Sequence, residues 1–281
     1  FQSFALFPHM TVAQNVGYGL RLRRLPKAEI ASRVDAMLEL VGLSALAGRM
    51  PHALSGGQQQ RVQLGRSLVL EADILLLDEP LAALDAKLRK DMCLELKHLQ
   101  EQVGITFVHV THNQEEAMTV ADNMAIIANG ELVETGTAQD LYENPRRRFT
   151  ADFIGENNIF DGRVSGLTSG GVDVDLGFAI LTVDAHGQTP RVGDNVSVSV
   201  RSELVLVLGR GEAPDALLQS VPATYGEAVY LGLATSHVAS LANGDAIVAR
   251  HISRGDASDV FEAEAQVTYA WPRARMRLHL S

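Results

Sequence analysis

Asp78 and Glu79 follow directly on the apolar run Ile74-Leu75-Leu76-Leu77. An acidic pair at the end of a buried strand suits a hard divalent cation and a polarised water. Consecutive side chains on an extended chain diverge, which lets the two carboxylates do different work. Upstream, Leu54-Ser55-Gly56-Gly57-Gln58-Gln59-Gln60-Arg61 reads as a serine-glycine turn entering a helix. Ser55 is a natural N-cap, and the glycines let another group approach the backbone closely. Free amides and the positive end of a helix dipole there suit an anion. Taken together, the two stretches describe nucleoside triphosphate chemistry.

The same residues resemble a known family. LSGGQQQR at 54–61 is similar to the signature motif of ABC-type ATPases, and ILLLDEP at 74–80 to their Walker B strand. Leu81-Ala82-Ala83-Leu84-Asp85 resembles the D-loop, Thr111 to Ala117 the switch-histidine region, and Phe1 to Val12 the Q-loop. The motifs stand in the family's order, whereas a lone Ser-Gly-Gly would carry little weight. The resemblance implies ATP and Mg2+ as cofactors. It makes Glu79 the general base on the attacking water, with Asp78 supporting magnesium, usually through water. Gln2 would reach the magnesium and the attacking water. His112 would hydrogen-bond the γ-phosphate and sense its presence. Ser55 and Gly57, with Gly56 and Gln58 in the same turn, would meet ATP held by the opposite subunit. Asp85 would contact the partner across a dimer interface.

One motif of the family is missing. The phosphate-cradling loop reads G-x-x-x-x-G-K-[ST], and Lys27, Lys87, Lys90 and Lys97 all follow residues other than glycine. Residue 1 is Phe, and the chain opens on the Q-loop. The expectation is an N-terminally truncated sequence whose homodimer turns over no ATP but could lend its signature to an intact partner. Loss of the upstream strand would also leave sheet edges unpaired, an aggregation risk.

The elements that must position these groups are legible from periodicity. Ile30, Val34, Met37, Leu38 and Val41 fall on one face of a helix over 27–41, which Gly42 ends. A run of four apolar residues before Asp78 predicts a parallel strand covered on both faces. Asp85 caps a helix through Leu88, Met92, Leu96 and Leu99, and Ile105 to Val110 forms the next strand, with His109 structural. Glu115 and Glu116 fall in the first turn of the following helix, complementing its dipole. Asn129-Gly130 predicts a type I′ hairpin, Thr137 to Tyr142 a short capped helix, and Pro145 to Arg148 a solvated linker.

From about residue 156, short strands alternate with glycine turns, as at 172–175, 196–200, 204–208, 246–249 and 276–280. That pattern predicts a small β-barrel. Gly155 to Phe160 and Val200 to Glu203 resemble the C-terminal, TOBE-like barrel of importer ATPases, with Ser202 standing where that family often has Pro. The fold class is therefore α/β: a P-loop NTPase-type ABC ATPase domain over 1–150, lacking its first strands and P-loop, followed by a β-barrel domain over 151–281.

Composition sets the remaining bounds. A hydrophobic share of 46% and a charged share of 21% over 281 residues fit a globular chain with an ample core. No apolar run approaches the roughly 20 residues of a membrane helix. A net charge of -10 argues against a nucleic-acid partner. The single Cys93 excludes an internal disulfide and, among Met92, Leu94 and Leu96, reads as a packed, inert thiol. The resemblance implies a peripheral subunit on the cytoplasmic face of a bacterial inner membrane. Its partners would be a second ATPase subunit, two permeases and, indirectly, a periplasmic or lipoprotein solute-binding protein. Gly155-Glu156-Asn157-Asn158-Ile159-Phe160 and the stretch from Asp78 to Arg89 look closest to polyamine-type importers, with iron and sugar importers nearby. A chromosome-maintenance ATPase would need a long coiled coil between Q-loop and signature, and only residues 13–53 lie there. A third reading is a non-catalytic, partner-dependent or regulatory binding module built on the barrel, against which Asp78, Glu79 and His112 speak.

Overall fold

A computed structural model of the chain describes residues 6–82, 84–168, 170–209, 212, 214–215, 217–253 and 261–280. Gln2 lies outside them. The chain divides into two compact units, one ending at Met124 and one beginning at Ala125. The hairpin and short helices of 125–153 thus group with the second unit.

The first unit is helical around a short parallel sheet. Helices α1 (Val12–Val16), α2 (Tyr18–Leu22), α3 (Lys27–Leu40) and α4 (Gly56–Leu68) precede strand β1 (Ile74–Asp78). Helix α5 (Ala86–Val103), strand β2 (Thr106–Val110) and helix α6 (Gln114–Val120) complete it. The stripe on α3 buries Val34 and Leu38 against Val12, Val16, Leu20 and Val62, and Gly42 ends the segment at φ 68°. Buried Asn15 orders the stretch before α1: its amide accepts from Phe7 N at 2.8 Å and donates to the carbonyls of Phe7, Met10 and Thr11.

β1 and β2 pair in parallel, with Ile74 opposite Thr106 and Asp78 opposite Val110. Leu75 and Leu77 pack on Leu64, Leu68, Leu96 and Leu99. The opposite face, bearing Ile74, Leu76, Val108 and Val110, is exposed among the described residues, with Leu76 74% accessible. Coverage on both faces, which the apolar run predicted, is therefore not seen. A continuous apolar run fixes the strand but not what lies over it.

The second unit begins with the hairpin β3 (Met124–Ala128) and β4 (Glu131–Gly136). Asn129 and Gly130 both have positive φ, as a type I′ turn requires. Helices α7 (Ala138–Glu143) and α8 (Arg148–Phe153) follow. The arginine run between them is tied down, not a free linker. Glu134 accepts from the amides of Arg146 and Arg147, and the Arg148 guanidinium pairs with Asp161 at 3.3 Å.

The strand-rich remainder, the region expected to be a β-barrel domain, forms two five-stranded antiparallel sheets. One contains β5 (Asn157–Thr168), β6 (Gly171–Asp175), β7 (Ile180–Val183), β8 (Asn195–Arg201) and β14 (Arg277–Leu280), in the order β14-β8-β5-β6-β7. The other contains β9 (Leu206–Leu208), β10 (Leu218–Tyr230), β11 (Ala234–Ser240), β12 (Ala246–Ile252) and β13 (Gln266–Pro272), in the order β12-β11-β10-β13-β9. One core joins them, including Phe160, Val198, Tyr225, Tyr269 and Trp271.

Candidate functional site

The chemistry-bearing residues of the first unit gather at the carboxyl ends of β1 and β2, where α/β folds place their sites. Asp78 is the last residue of β1, and its carboxylate is exposed. Glu79 lies just past the strand, and its N–H donates to Val110 O at 2.9 Å. Its φ of 43° puts a non-glycine residue in the left-handed region, a conformation that costs about 1–3 kcal/mol and clusters at functional sites. Glu79 therefore does not continue the extended strand, as two consecutive extended residues would have it.

In that conformation Glu79 meets His112. The Nδ1 of His112 lies 2.9 Å from Glu79 Oε1, although 33 residues separate them in the chain. The imidazole is largely exposed, so its other nitrogen is open to a ligand. A carboxylate and an imidazole so placed can take a proton from water and bond a phosphoryl oxygen.

The loop under His112 is closely bonded. Thr111 Oγ1 accepts from Asn113 N at 3.0 Å and donates to Glu116 Oε2 at 2.7 Å. Asn113 caps α6 by accepting from Glu116 N. Glu116, 4% exposed, also has Arg89 Nε 3.4 Å away, and His109 Nε2 lies at 3.9 Å. Burial pushes the His109 pKa down, and Glu116 partly opposes it. The sequence placed Glu116 correctly in the first turn of α6 but as a dipole partner. The Asn113-x-x-Glu116 spacing of a capping box was the available signal, although here the carboxylate reaches Thr111 and Arg89.

The signature residues form the start of α4. Ser55 Oγ accepts from Gln58 N at 3.4 Å and Gln58 Oε1 accepts from Ser55 N at 3.0 Å, a complete capping box. Ser55 is exposed, while the amides of Gly56 and Gly57 precede any intrahelical partner. Gly57 has a second reason to be glycine: a Cβ there would meet Leu88 and Met92 of α5 at 3.4 Å. Asp85 caps α5 by accepting from Lys87 N and Leu88 N, both at 3.1 Å. Among the described residues, Ser55, Gln58 and Asp85 make no hydrogen bond to Glu79 or His112. The structure thus brings Asp78, Glu79 and His112 together and leaves the signature turn and Asp85 as separate caps.

A magnesium–nucleotide site can be tested against these donors. Mg2+ is usually held by one or two carboxylates, waters and substrate phosphates, not by an all-protein cage. Asp78 offers an exposed oxygen donor with no hydrogen bond or ion pair among the described residues. Those residues contain no cluster of three metal-ligating side chains. The donor set fits a metal bound mainly through a nucleotide.

Comparison with known proteins identifies the family. The family model described as ABC transporter matches residues 1–82. The chain belongs to the ABC transporter ATP-binding family. It is 46% identical over 253 residues to the spermidine/putrescine import ATP-binding protein PotA of Mesorhizobium japonicum, covering 89% of this chain and 67% of that protein. The proteins of the same name from Rubrobacter xylanophilus and Thermobifida fusca are 45% and 44% identical, covering 96% of this chain and 71% and 70% of theirs. A solved structure of cbiO1 from Clostridium perfringens, part of the ABC transporter complex cbiONQ, is 33% identical with a TM-score of 0.47. It covers 50% of this chain and 57% of its own. Among the described residues no helix is long and apolar enough to cross a membrane.

Proposed function

We propose that the chain is the ATP-hydrolysing subunit that drives uptake of a polyamine through an ABC importer. The observation that carries the reading is the Glu79–His112 contact at 2.9 Å, which joins a general base to a phosphate-binding imidazole. The spermidine/putrescine relatives support the choice of substrate class. Glu79 activates the attacking water, His112 bonds the γ-phosphate, and Asp78 would help to hold Mg2+. Gln2, outside the described residues, would be a further ligand for the metal and the water. Mg2+, when bound, neutralises charge on the β- and γ-phosphates.

The 281 residues contain no G-x-x-x-x-G-K-[ST] loop, so the phosphates need a cradle that these residues do not supply. In the assembled dimer, Ser55, Gly56, Gly57 and Gln58 cap the ATP of the opposite subunit, and Asp85 lies at the interface. ATP acts by binding the closed dimer better than the open one, since equal affinity would move nothing. The subunit sits peripherally on the cytoplasmic face of the membrane, against two permeases served by a solute-binding protein. The ATPase domain is assigned to residues 1–150 and the accessory domain to 151–281, although residues 125–150 pack with the second compact unit.

The test is reconstitution of the full-length gene product with its permeases in liposomes. ATP turnover that rises when spermidine-loaded binding protein is added supports the reading. Turnover that responds to a ferric or sugar-loaded binding protein instead would move the substrate assignment and keep the ATPase. Absence of turnover in every case would refute both.

A further inference from the structure

Glu116 is the one deeply buried carboxylate in the first unit among the described residues. Its neighbour Glu115, in the same helical turn, is exposed. Burying a carboxylate is costly unless charge and hydrogen bonds compensate it. Glu116 has both, and they come from opposite directions. On one side, its Oε2 accepts from the Thr111 hydroxyl at 2.7 Å. Thr111 directly precedes His112, whose imidazole meets Glu79. On the other side, its Oε1 faces the Arg89 guanidinium at 3.4 Å, an ion pair without a directed hydrogen bond. The other arm of Arg89 is well directed: Nη2 donates to Leu84 O at 2.8 Å. Leu84 directly precedes Asp85 at the end of the loop that follows the catalytic carboxylates.

The contacts therefore run unbroken from Glu79 through His112, Thr111, Glu116 and Arg89 to Leu84. The weak point is the Glu116–Arg89 contact. Beside it lies a cleft of about 50 Å3 between α5 and α6, lined in part by Arg89, Cys93, Asn113, Glu116 and Thr119. That is space enough for a water, so the guanidinium can shift without overpacking the core.

We propose that Glu116 is a positioning residue that couples the His112–Glu79 pair to the Leu81–Asp85 loop through Arg89. Occupancy of the γ-phosphate position by ATP is thereby relayed within the subunit to the loop that faces its partner. This rests on the ATPase reading above. Contiguity alone does not establish coupling, so the test measures coupling directly.

In the reconstituted full-length transporter, ATP turnover is measured against ATP concentration for the wild type, Glu116→Gln, Arg89→Gln and the double variant. Two coupled sites allow a Hill coefficient of up to about 2. Each single variant is expected to lower it toward 1 and to lower kcat roughly 10- to 100-fold, on the scale of a mispositioned reacting group. Nucleotide affinity should stay near that of the wild type, and the loss of thermal midpoint in Arg89→Gln, which leaves a buried carboxylate without its cation, should be relieved in the double variant. The double variant should be no worse than either single one. Variants that melt early while the active fraction keeps the wild-type Hill coefficient would show a merely structural role and overturn the proposal. Wild-type behaviour in both single variants would overturn it as well.

Should the variants fail to fold, the wild type decides. Hydrogen–deuterium exchange of the amides of α5 and α6 that flank the cleft, read by mass spectrometry, should differ several-fold between ATP- and ADP-loaded wild type. Equal exchange would overturn the relay. If the wild type itself hydrolyses no ATP, the ATPase reading fails. If it does and only the variants match it, this inference fails alone.

Discussion

His112 Nδ1 stands 2.9 Å from Glu79 Oε1 at the ends of two paired parallel strands, with Glu79 turned into a left-handed backbone conformation to reach it. The register places Asp78 opposite Val110, so the residues that follow each strand are neighbours by construction. The contact follows from the strand pairing plus one strained residue.

This geometry separates the roles of the two side chains. In the reconstituted transporter, Glu79→Gln should keep ATP binding and lower turnover by about 10²–10⁴, the range for loss of a general base. His112→Ala should do similar damage. The double variant should lose little more than Glu79→Gln alone, because groups acting as a unit are not additive. Full additivity in single-turnover assays would mean that the two act independently.

Asn158 should matter for stability rather than chemistry. Its side-chain amide pairs with the backbone of Val248, donating to the carbonyl at 2.8 Å and accepting from the N–H at 2.7 Å. It thus satisfies the N–H and the carbonyl of Val248 on β12, the end strand of its sheet, from a strand of the other sheet. Asn158→Ala leaves both backbone groups without their partner and should destabilise the second unit by about 2–4 kcal/mol, from roughly 1–2 per lost buried bond. Asn158→Asp should be no better, since a carboxylate cannot donate to the carbonyl. Urea unfolding followed by Trp271 fluorescence reads this out, and an unchanged midpoint would refute it.

Gly155 is fixed by what surrounds it. Its φ is 68°, and a Cβ there would sit 2.6 Å from Arg201 Nη1 and 2.8 Å from Tyr142 Cε2. Arg201 is 6% exposed, lies over the Tyr142 ring at 3.9 Å, and donates to the carbonyls of Tyr142 and Ile154. Gly155→Ala should therefore cost about 1–3 kcal/mol, from overpacking and the left-handed backbone. Arg201→Lys should also destabilise, because a single ammonium cannot reproduce the planar stack and forked donors. Thermal melts of both variants at wild-type midpoints would show that the network carries no stability.

The caps and turns were legible in the sequence because each depends on one or two local residues. Ser55, Asp85 and Thr137 cap their helices as read, and Asn129-Gly130 makes its turn. The longest strands were not legible. β10 contains Pro222 and Gly226, both of which argue against a strand. The structure accommodates each: Pro222 lies where β10 pairs only with β13, and Gly226 sits at the bulge between Tyr225 and Glu227. The general base and switch histidine could be assigned by motif, but their contact needed the strand register. Glu116 was hidden for a different reason. A glutamate in a helix's first turn is ordinarily solvated, and its burial depends on Arg89, whose distance in the chain is bridged only by the packing of α5 on α6.

His279 sets a pH dependence. It is 1% exposed on β14, and its Nε2 lies 2.8 Å from Ser199 Oγ. Burial lowers its pKa below the ordinary 6.5, outweighing the opposing pull of a backbone hydrogen bond to Arg146 and of Glu134. The folded state therefore holds the imidazole neutral at a pH where the unfolded chain already binds a proton. The unfolded state takes up more protons as pH falls below about 6.5, so stability is retained above that value and declines below it, down to the folded-state pKa. The slope from one such group is at most about 1.4 kcal/mol per pH unit. His279→Gln removes the titration, so its stability relative to the wild type should improve progressively as pH drops from about 7.5 to 5. Urea unfolding of both proteins across that range checks it. A difference between them that stays constant with pH would mean that His279 does not titrate on unfolding.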